Sequence, residues 1–528
     1  MKQYDLVIAG GGLAGLSLAR QMRLKTPDLS IAIVEKNKFP RPRAIAKVGE
    51  STVEIGSRYL SKHVGLEAHL KQNHLQKFGL RIFFGEPSTD LSQQDELGAS
   101  QLFGLLTYQI DRGDIENHLW NTLRADGVDI IENADITGID TESAVKKLEL
   151  TNGDGPQSLR SSWLVDAAGR ASLIKNNRGL AIKNNHKSNA IWFRVDRTIK
   201  VDDWSDNAEW RSRCRPEGTR WLSTNHFVGP GYWVWAIPLS SGVTSVGIVM
   251  DDIAFESANI SDKESALRWL HKNQRRYAEA IGDANFLDFV VLRDYSYDCK
   301  QVFSDQGWAV TGEAGLFADP FYSPGSDFIA FSNGFISELI SSQKRGEDIR
   351  LKTMMSEKLY KSIAANTFYL YQGQYGGFGD RLMMSLKLLW DYSYYWGVIS
   401  LLYFGDMVVN INAIRPHGPA LMKSEILHQE IQSLFRKRAT QRLVLPNRGV
   451  FMDQYQIPCL RYFNKILFEI NEKGDDHTID IHAQLHTNLE MLGEIAVAII
   501  DMLSDSPAKE ISEGERSVLG DYRRLVLD

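Results

Sequence analysis

The sequence predicts a mixed α/β (α+β) body followed by a mainly helical region, and three observations predict it. A βαβ unit opens the chain, later apolar runs end at acids beside small residues, and helical patterning dominates from about residue 346. Leu6-Val7-Ile8-Ala9 is an apolar run of the kind that forms a buried parallel strand. Gly10-Gly11-Gly12-Leu13-Ala14-Gly15 follows at once, and Leu16, Leu18, Ala19 and Met22 continue a helical pattern. Ile31-Ala32-Ile33-Val34 reads as the second strand and ends at Glu35. Further strands are expected near 163–167, 232–237, 244–250 and 308–311. The division is a body over residues 1–345 and a helical region over 346–528.

Composition excludes several classes. Of 528 residues, 43% are apolar and 24% charged, which rules out a largely disordered chain. The 66 acidic and 60 basic side chains leave a formal charge of −6, against nucleic acid as the main partner. Cys214, Cys299 and Cys459 lie too far apart for a disulfide framework or a thiolate metal site, so a reducing cytoplasm is expected. The N-terminus carries no export signal. Leu386–Phe404 is long enough to span a membrane, but Lys387, Asp391 and four tyrosines lie within it. It predicts a helix with one apolar, aromatic face and no membrane contact. His63, His69 and His74, spaced by six and five, do not share a helical face; they read as exposed polar positions, with no metal expected.

In Gly10-x-Gly12-x-x-Gly15 the first glycine permits a tight turn and the second lets backbone approach a pyrophosphate. The third lets the helix pack closely on the strand. The helix N-terminus then offers free N–H groups and partial positive charge to the phosphates. Glu35 stands twenty positions beyond Gly15, where a carboxylate accepts hydrogen bonds from the adenosine ribose. Strand, spacing and acid agree on dinucleotide binding.

Three further segments favour FAD over NAD. Leu164-Val165-Asp166-Ala167-Ala168-Gly169-Arg170 and Val310-Thr311-Gly312-Glu313-Ala314-Gly315 each bring a strand to an acid beside small residues. Tyr108-Gln109-Ile110-Asp111-Arg112 sets a basic residue before a helix. Taken singly, Asp166 and Arg112 read equally well as a surface ion pair. With the fingerprint, their order and spacing resemble the flavoprotein monooxygenases of the p-hydroxybenzoate hydroxylase type. That resemblance implies a Rossmann-type FAD-binding domain with an inserted substrate-side β-sheet, about 80–110 and 185–300. It also implies Arg112 against the FAD and the late acid on the ribityl chain. The family usually carries aspartate where this chain has Glu313, so that contact needs a displaced backbone.

Trp233-Val234-Trp235-Ala236-Ile237-Pro238 narrows the reading. Alternate tryptophans on a strand put two rings on one face, which is ordinary packing, but this leaves the Ile-Pro unexplained. The segment resembles the W-x-W-x-I-P pattern of the flavin-dependent halogenases. Phe317-Ala318-Asp319-Pro320-Phe321-Tyr322-Ser323-Pro324-Gly325 resembles their F-x-x-P-x-x-S-x-G segment, and Lys47-Val48-Gly49-Glu50-Ser51-Thr52 resembles their loop over the isoalloxazine. The resemblance spans residues 4 to about 335. It implies cofactor contacts from Gly10, Gly12, Leu13, Ala14, Gly15, Glu35, Lys47, Gly49, Glu50, Ser51, Arg112, Asp166, Gly312, Glu313, Pro320 and Gly325. Trp233, Trp235, Tyr322 and Ser323 would stand on the substrate side.

By the same resemblance, reduced FAD, O₂ and halide would yield hypohalous acid, which a lysine aims at an electron-rich aromatic carbon. A partly desolvated lysine has a lowered pKa, which suits that task. Lys77, in Lys77-Phe78-Gly79, is the candidate by family position, and Lys47 is its rival. Tyr322 stands where tryptophan-type members carry glutamate, so the chain resembles the phenol and pyrrole branches. The family binds halide on consecutive backbone N–H groups after the serine. Pro324 has none at the first position, which moves the halide to Gly325 and Ser326. The leading function is a halogenase acting on a phenol, pyrrole or indole, free or carrier-bound, with bromide or iodide preferred to chloride. A separate flavin reductase supplies reduced FAD, because one dinucleotide fingerprint is present. The alternative is an FAD-dependent aromatic monooxygenase without halide; a flavin-binding scaffold is the third. Trp390-Asp391-Tyr392-Ser393-Tyr394-Tyr395-Trp396 would pack the helical region onto the body or roof the substrate cavity.

Overall fold

A computed structural model describes residues 2–45, 47–84, 90–504 and 511–527. The opening apolar run forms strand Lys2–Ala9, whose last four residues are buried, and the fingerprint leads into helix Leu13–Lys25. Strand Lys2–Ala9 is central in a parallel core, flanked by Ile31–Val34 on one side and Gly155–Asp166 on the other. Trp308–Val310 and Asp129–Ile131 extend it outward. Register decides what this sheet is for. Ala9 pairs with both Val34 and Asp166, and Asp166 pairs with Val310. The glycine turn, Glu35, the Asp166 segment and the Gly312 segment therefore leave the sheet side by side at its carboxyl edge. In open α/β sheets ligands bind at that edge.

A second sheet of eight strands carries the order Phe286–Leu292, Asn189–Val195, Thr244–Met250, Tyr232–Pro238, Thr224–Gly229, Leu80–Phe84, Asp95–Gly98 and Phe451–Asp453. Seven of these come from the expected substrate-side segments, of which residues 85–89 lie outside the described residues. The eighth, Phe451–Asp453, comes from the region read as helical and pairs parallel with Asp95–Gly98. Alternation on Tyr232–Pro238 divides two cores. Trp233, Trp235 and Ile237 face the flavin body, while Val234 and Ala236 face a separate core with Phe193, Trp210 and Tyr277. Gly247 lies opposite Trp235, and a Cβ there would sit 2.1 Å from the indole. Glycine is the residue that lets this ring lie flat on the sheet.

The segment 386–404 is buried all round rather than on one face. It runs through helix Arg381–Tyr394, a wider turn at Tyr395–Ser400 and helix Leu401–Phe404. Lys387, fully buried, pairs with Asp391 at 2.8 Å, which is how the charges fit inside. Trp390 packs in the core, and no helix among the described residues is long and apolar enough to cross a membrane.

The second sheet is clamped by a buried charge cluster. Glu96 accepts from Arg81 and from Arg220 Nε at 2.9 Å, and all three side chains are fully buried. Burial opposes the Glu96 charge, yet the two guanidiniums hold it below the usual carboxylate range. Glu96→Gln leaves both cations without a counter-charge and should destabilise the fold by about 3–5 kcal/mol. A fall of several degrees in the thermal midpoint checks this; an unchanged midpoint contradicts it.

Candidate active site

The carboxyl edge of the first sheet opens a crevice lined by Gly10, Gly12, Leu13, Ala14, Glu35, Lys47, Gly49, Glu50, Ser51 and Arg112. Gly312, Glu313, Pro320, Ser323, Gly325 and Ser326 complete it from the other side. The glycines act by close approach. Gly10 has φ +112°, and a Cβ on Gly15 would lie 2.0 Å from the Gly10 carbonyl oxygen. A Cβ on Gly12 meets only Lys47 Nζ, at 3.6 Å, and otherwise points into open crevice. Glu35 accepts from the Gly11 amide at 2.7 Å and pairs with Arg41 at 3.1 Å.

Electrostatics at this helix end fit a pyrophosphate. Arg41, Lys47 and Arg112 all pair with the buried Glu116, whose Oε1 also accepts from the Leu13 amide at 3.2 Å. Three cations against two carboxylates, Glu116 and Glu35, leave positive charge beside the helix N-terminus. Further along, burial pushes the Glu50 carboxyl up to about 8 despite Arg194 and Arg112 nearby. Glu50 therefore faces the crevice as a carboxyl group that ionises far less readily than an exposed one.

A second cavity lies behind the crevice. Pro324 and Phe328 line both spaces and form the wall between them. Lys77 is buried in this chamber, its Nζ donating to Ser51 Oγ and to the Thr52 carbonyl, each at 3.0 Å. Desolvation lowers the ammonium pKa to about 8, against the opposing pull of Glu54 and Asp327. Burial likewise pushes Asp327 up to about 7; its oxygens accept from the Gly56 amide at 2.8 Å and the Tyr395 hydroxyl at 2.7 Å. The C-terminal helices close the chamber with Tyr371, Tyr392, Tyr394, Tyr395 and Trp396. The aromatic cluster thus both packs and roofs. Tyr322 also lines the chamber, and its hydroxyl donates to Asp391 Oδ2 at 2.6 Å.

Several expected placements change. Trp233 and Trp235 line the cofactor crevice, not the Lys77 chamber, because the alternation of their strand turns them toward the flavin body. Trp233 Nε1 donates to Tyr375 and Trp235 Nε1 to Ser245. Ser323, with φ +59°, lines the crevice too. Asp166 and Gly15 line neither space: the Asp166 carboxylate accepts from the Ala168 and Ile174 amides and shapes the turn. Neither does Asp166 pair with Arg112, which instead donates to the Val48 carbonyl at 2.7 Å. Glu313 pairs with Arg170 at 3.5 Å. The rival lysines separate, Lys47 in the crevice on Glu116 and Lys77 in the chamber.

The histidine reading is corrected as well. His74 is buried, and chain folding brings His69, His74 and Asp114 within reach of one another. His74 Nδ1 accepts from the Asp111 amide, and His69 Nδ1 faces the Asn73 amide NH₂ that also donates to the His69 carbonyl. The Nε2 atoms of the two rings face Asp114 Oδ2 at 3.0 and 3.5 Å, and none of these three buried atoms closes a hydrogen bond. Sequence reasoning missed Glu54, Asp327 and Asp391. Each is a lone acid whose neighbours in the chamber come from distant segments, and only Glu54, three positions after Ser51, carried a usable signal.

Fold, crevice and buried lysine together define an FAD-dependent oxidoreductase. A family model described as tryptophan halogenase matches residues 89–350. The flavin-dependent halogenase chlA of Dictyostelium discoideum is 27% identical over 440 residues, 77% of this chain and 71% of that protein. A pyrrole-2-carbonyl peptidyl-carrier-protein brominase of Pseudoalteromonas luteoviolacea is 25% identical, over 75% of this chain and 88% of its own length. The solved halogenase PltM shares the fold, with a TM-score of 0.67 at 16% identity, covering 100% of this chain and 99% of that one. The chain is similar to flavin-dependent halogenases along most of its length.

Because the Gly12 Cβ position is open, Gly12→Val should fold normally yet lose FAD, its side chain standing in the path of the pyrophosphate. The check is the flavin absorbance of purified protein beside its thermal midpoint; full flavin content would count against this cradle.

Proposed function

We propose that the chain halogenates an electron-rich aromatic, a phenol, pyrrole or indole, with Lys77 aiming the halogen. The observation that carries the reading is a buried lysine in a chamber of aromatic side chains, one wall away from the cofactor crevice. Bound FAD, reduced by a separate reductase, would supply the O₂ chemistry that oxidises halide to hypohalous acid. The residues toward it are the fingerprint glycines, Glu35, Lys47, Arg112, Glu50 and Glu313. Two Lys77 N–H groups are committed to Ser51 and Thr52, leaving the third to hold hypohalous acid against the ring. The aromatic roof of the chamber would limit access of water and so keep that acid from escaping. Among relatives, two act on pyrrole-2-carbonyl groups carried by a peptidyl carrier protein, which supports a pyrrole, free or carrier-bound, among the substrates.

Halide would bind at the start of helix Gly325–Lys344. The amides of Gly325, Ser326 and Asp327 have no acceptor one turn back, and a Cβ on Gly325 would meet nothing within 4 Å. Pro324 caps the helix without an N–H of its own. This favours large, weakly hydrated halides, bromide or iodide, over chloride. It also favours the second reading, oxygenation of the aromatic without halide.

Lys77→Ala should keep FAD and O₂ consumption but lose halogenated product by several orders of magnitude, since such positioning groups contribute with their neighbours about 7–11 kcal/mol. Product analysis with bromide, chloride and no halide checks this, and oxygenated product alone at every halide concentration would select the second reading. With an ammonium required and its pKa lowered to about 8, wild-type halogenation should fall as pH rises through about 8. Glu54 and Asp327 face the same ammonium and, as carboxylates, prolong its protonation. A rate that rises over that interval would make the neutral amine the active form.

Pro324→Thr should add a second donor beside Gly325, worth about 1.5–3 kcal/mol to an anion. Apparent halide affinity should then rise roughly ten- to a hundredfold, most for chloride. A wild type that chlorinates at low chloride would show Pro324 to be no obstacle.

A further inference from the structure

Three carboxyl groups among the described residues line the Lys77 chamber: Glu54, Asp327 and Asp391. Two are committed to the fold. Asp327 is held by the Gly56 amide and the Tyr395 hydroxyl. Asp391 is held by Tyr322, by Gln432 Nε2 at 2.6 Å and by Lys387 at 2.8 Å. Glu54 opens the short helix Glu54–Arg58 on the strap that carries Ser51 and Thr52, the two acceptors of the Lys77 ammonium. No ion pair reaches Glu54 among the described residues. The donors facing it are its own backbone N–H and the Trp396 indole N–H, and the indole N–H is buried and closes no hydrogen bond of normal geometry. A chamber-facing acid without an ion pair, next to an unsatisfied donor, is arranged for a guest.

We propose, resting on the halogenase reading, that Glu54 is the catalytic base that removes the ring proton after Lys77 has delivered the halogen. The O–X bond of hypohalous acid breaks, and its electron pair stays on oxygen, which takes a proton from the Lys77 ammonium and leaves as water. A ring π pair forms the C–X bond. The C–H bond then breaks, its electrons restore aromaticity, and the proton passes to the Glu54 carboxylate. Transfer of that proton to the Lys77 amine returns both groups to their starting forms. This gives the chamber the acid/base partner that Tyr322, tied to Asp391, does not provide. Burial raises the Glu54 pKa, which makes the carboxylate a stronger base, and the Lys77 ammonium pulls against that rise.

The test compares wild type, Glu54→Gln, Glu54→Ala and Lys77→Ala, each loaded with FAD and supplied with bromide, O₂ and a flavin reductase. Phloroglucinol, a 2-acylpyrrole and indole are the ring probes, and a dimedone-type trap reports escaped hypohalous acid. Glu54→Gln should halogenate the ring about 10²–10⁴-fold more slowly while hypohalous acid reaches the trap at the wild-type rate. Added acetate should restore ring halogenation to Glu54→Ala, whose missing carboxylate it replaces, and not to Lys77→Ala. Merely structural damage would not respond to acetate. Glu54→Gln working at the wild-type rate, or Glu54→Ala indifferent to acetate, overturns the assignment. A wild type that makes no hypohalous acid and halogenates none of the probes removes the halogenase reading itself, and is recognised because every variant is then equally inactive.

Discussion

The active region depends on keeping one ammonium out of water. Desolvating a charged lysine is unfavourable, and the shift of Lys77 to about 8 is the visible sign of it. Two acceptors on the strap after Gly49, Ser51 Oγ and the Thr52 carbonyl, offset part of that cost. The same strap has Gly49, Glu50 and Ser51 in the cofactor crevice and Val53 and Glu54 in the chamber. Its position is fixed from outside by strand-like pairing, with Thr52 bonded to the Tyr108 carbonyl and Ile110 bonded to the Glu50 carbonyl. Lys77 is thus tied by two hydrogen bonds to the same loop that lines the cofactor crevice.

The C-terminal helices matter because they roof the Lys77 chamber. Their charged residues are turned to that purpose: Lys387, Asp391, Gln432 and Tyr322 form one buried network joining the helical region to the turn before Pro324. A buried ion pair contributes little net stability, since desolvation consumes most of its Coulomb attraction. It does penalise any arrangement that leaves one partner alone. The network therefore specifies where the roof sits more than it adds to how firmly it sits.

The first sheet and its crevice were legible in the sequence because their signals are local. A strand followed by Gly10-x-Gly12-x-x-Gly15 and then Glu35 constrains its own geometry, and register did the rest by aligning Ala9, Val34, Asp166 and Val310. The alternation of Trp233 and Trp235 was legible too, but not which space their face meets, since that depends on how two sheets oppose each other. The buried character of 386–404 was hidden because Lys387 and Asp391 mimic a solvated stripe until their pairing is known. Chamber acids were illegible for a related reason. Asp327 and Asp391 look like any other acids in sequence, and only the partners they meet in the fold set them apart from Glu54.

The division between crevice and chamber is made by a single helical turn. Pro324 and Phe328, one turn apart, line both spaces, with Gly325 and Ser326 facing the crevice and Asp327 the chamber. A helix start is suited to this because its amides and its side chains point in different directions: unpaired N–H groups run along the axis, while side chains leave radially. The amides thus offer partial positive charge to an anion on the cofactor side, and Asp327 anchors the turn to Gly56 and Tyr395 on the other. Gly56 makes that anchoring possible, since a Cβ there would lie 2.1 Å from Ser326 Oγ. Anion site, dividing wall and strap are consequently one mechanical unit. On the proposed function, a halide bound on the crevice side and Lys77 on the chamber side would be held by that one unit, which is what transfer of a short-lived oxidant from one space to the other would require.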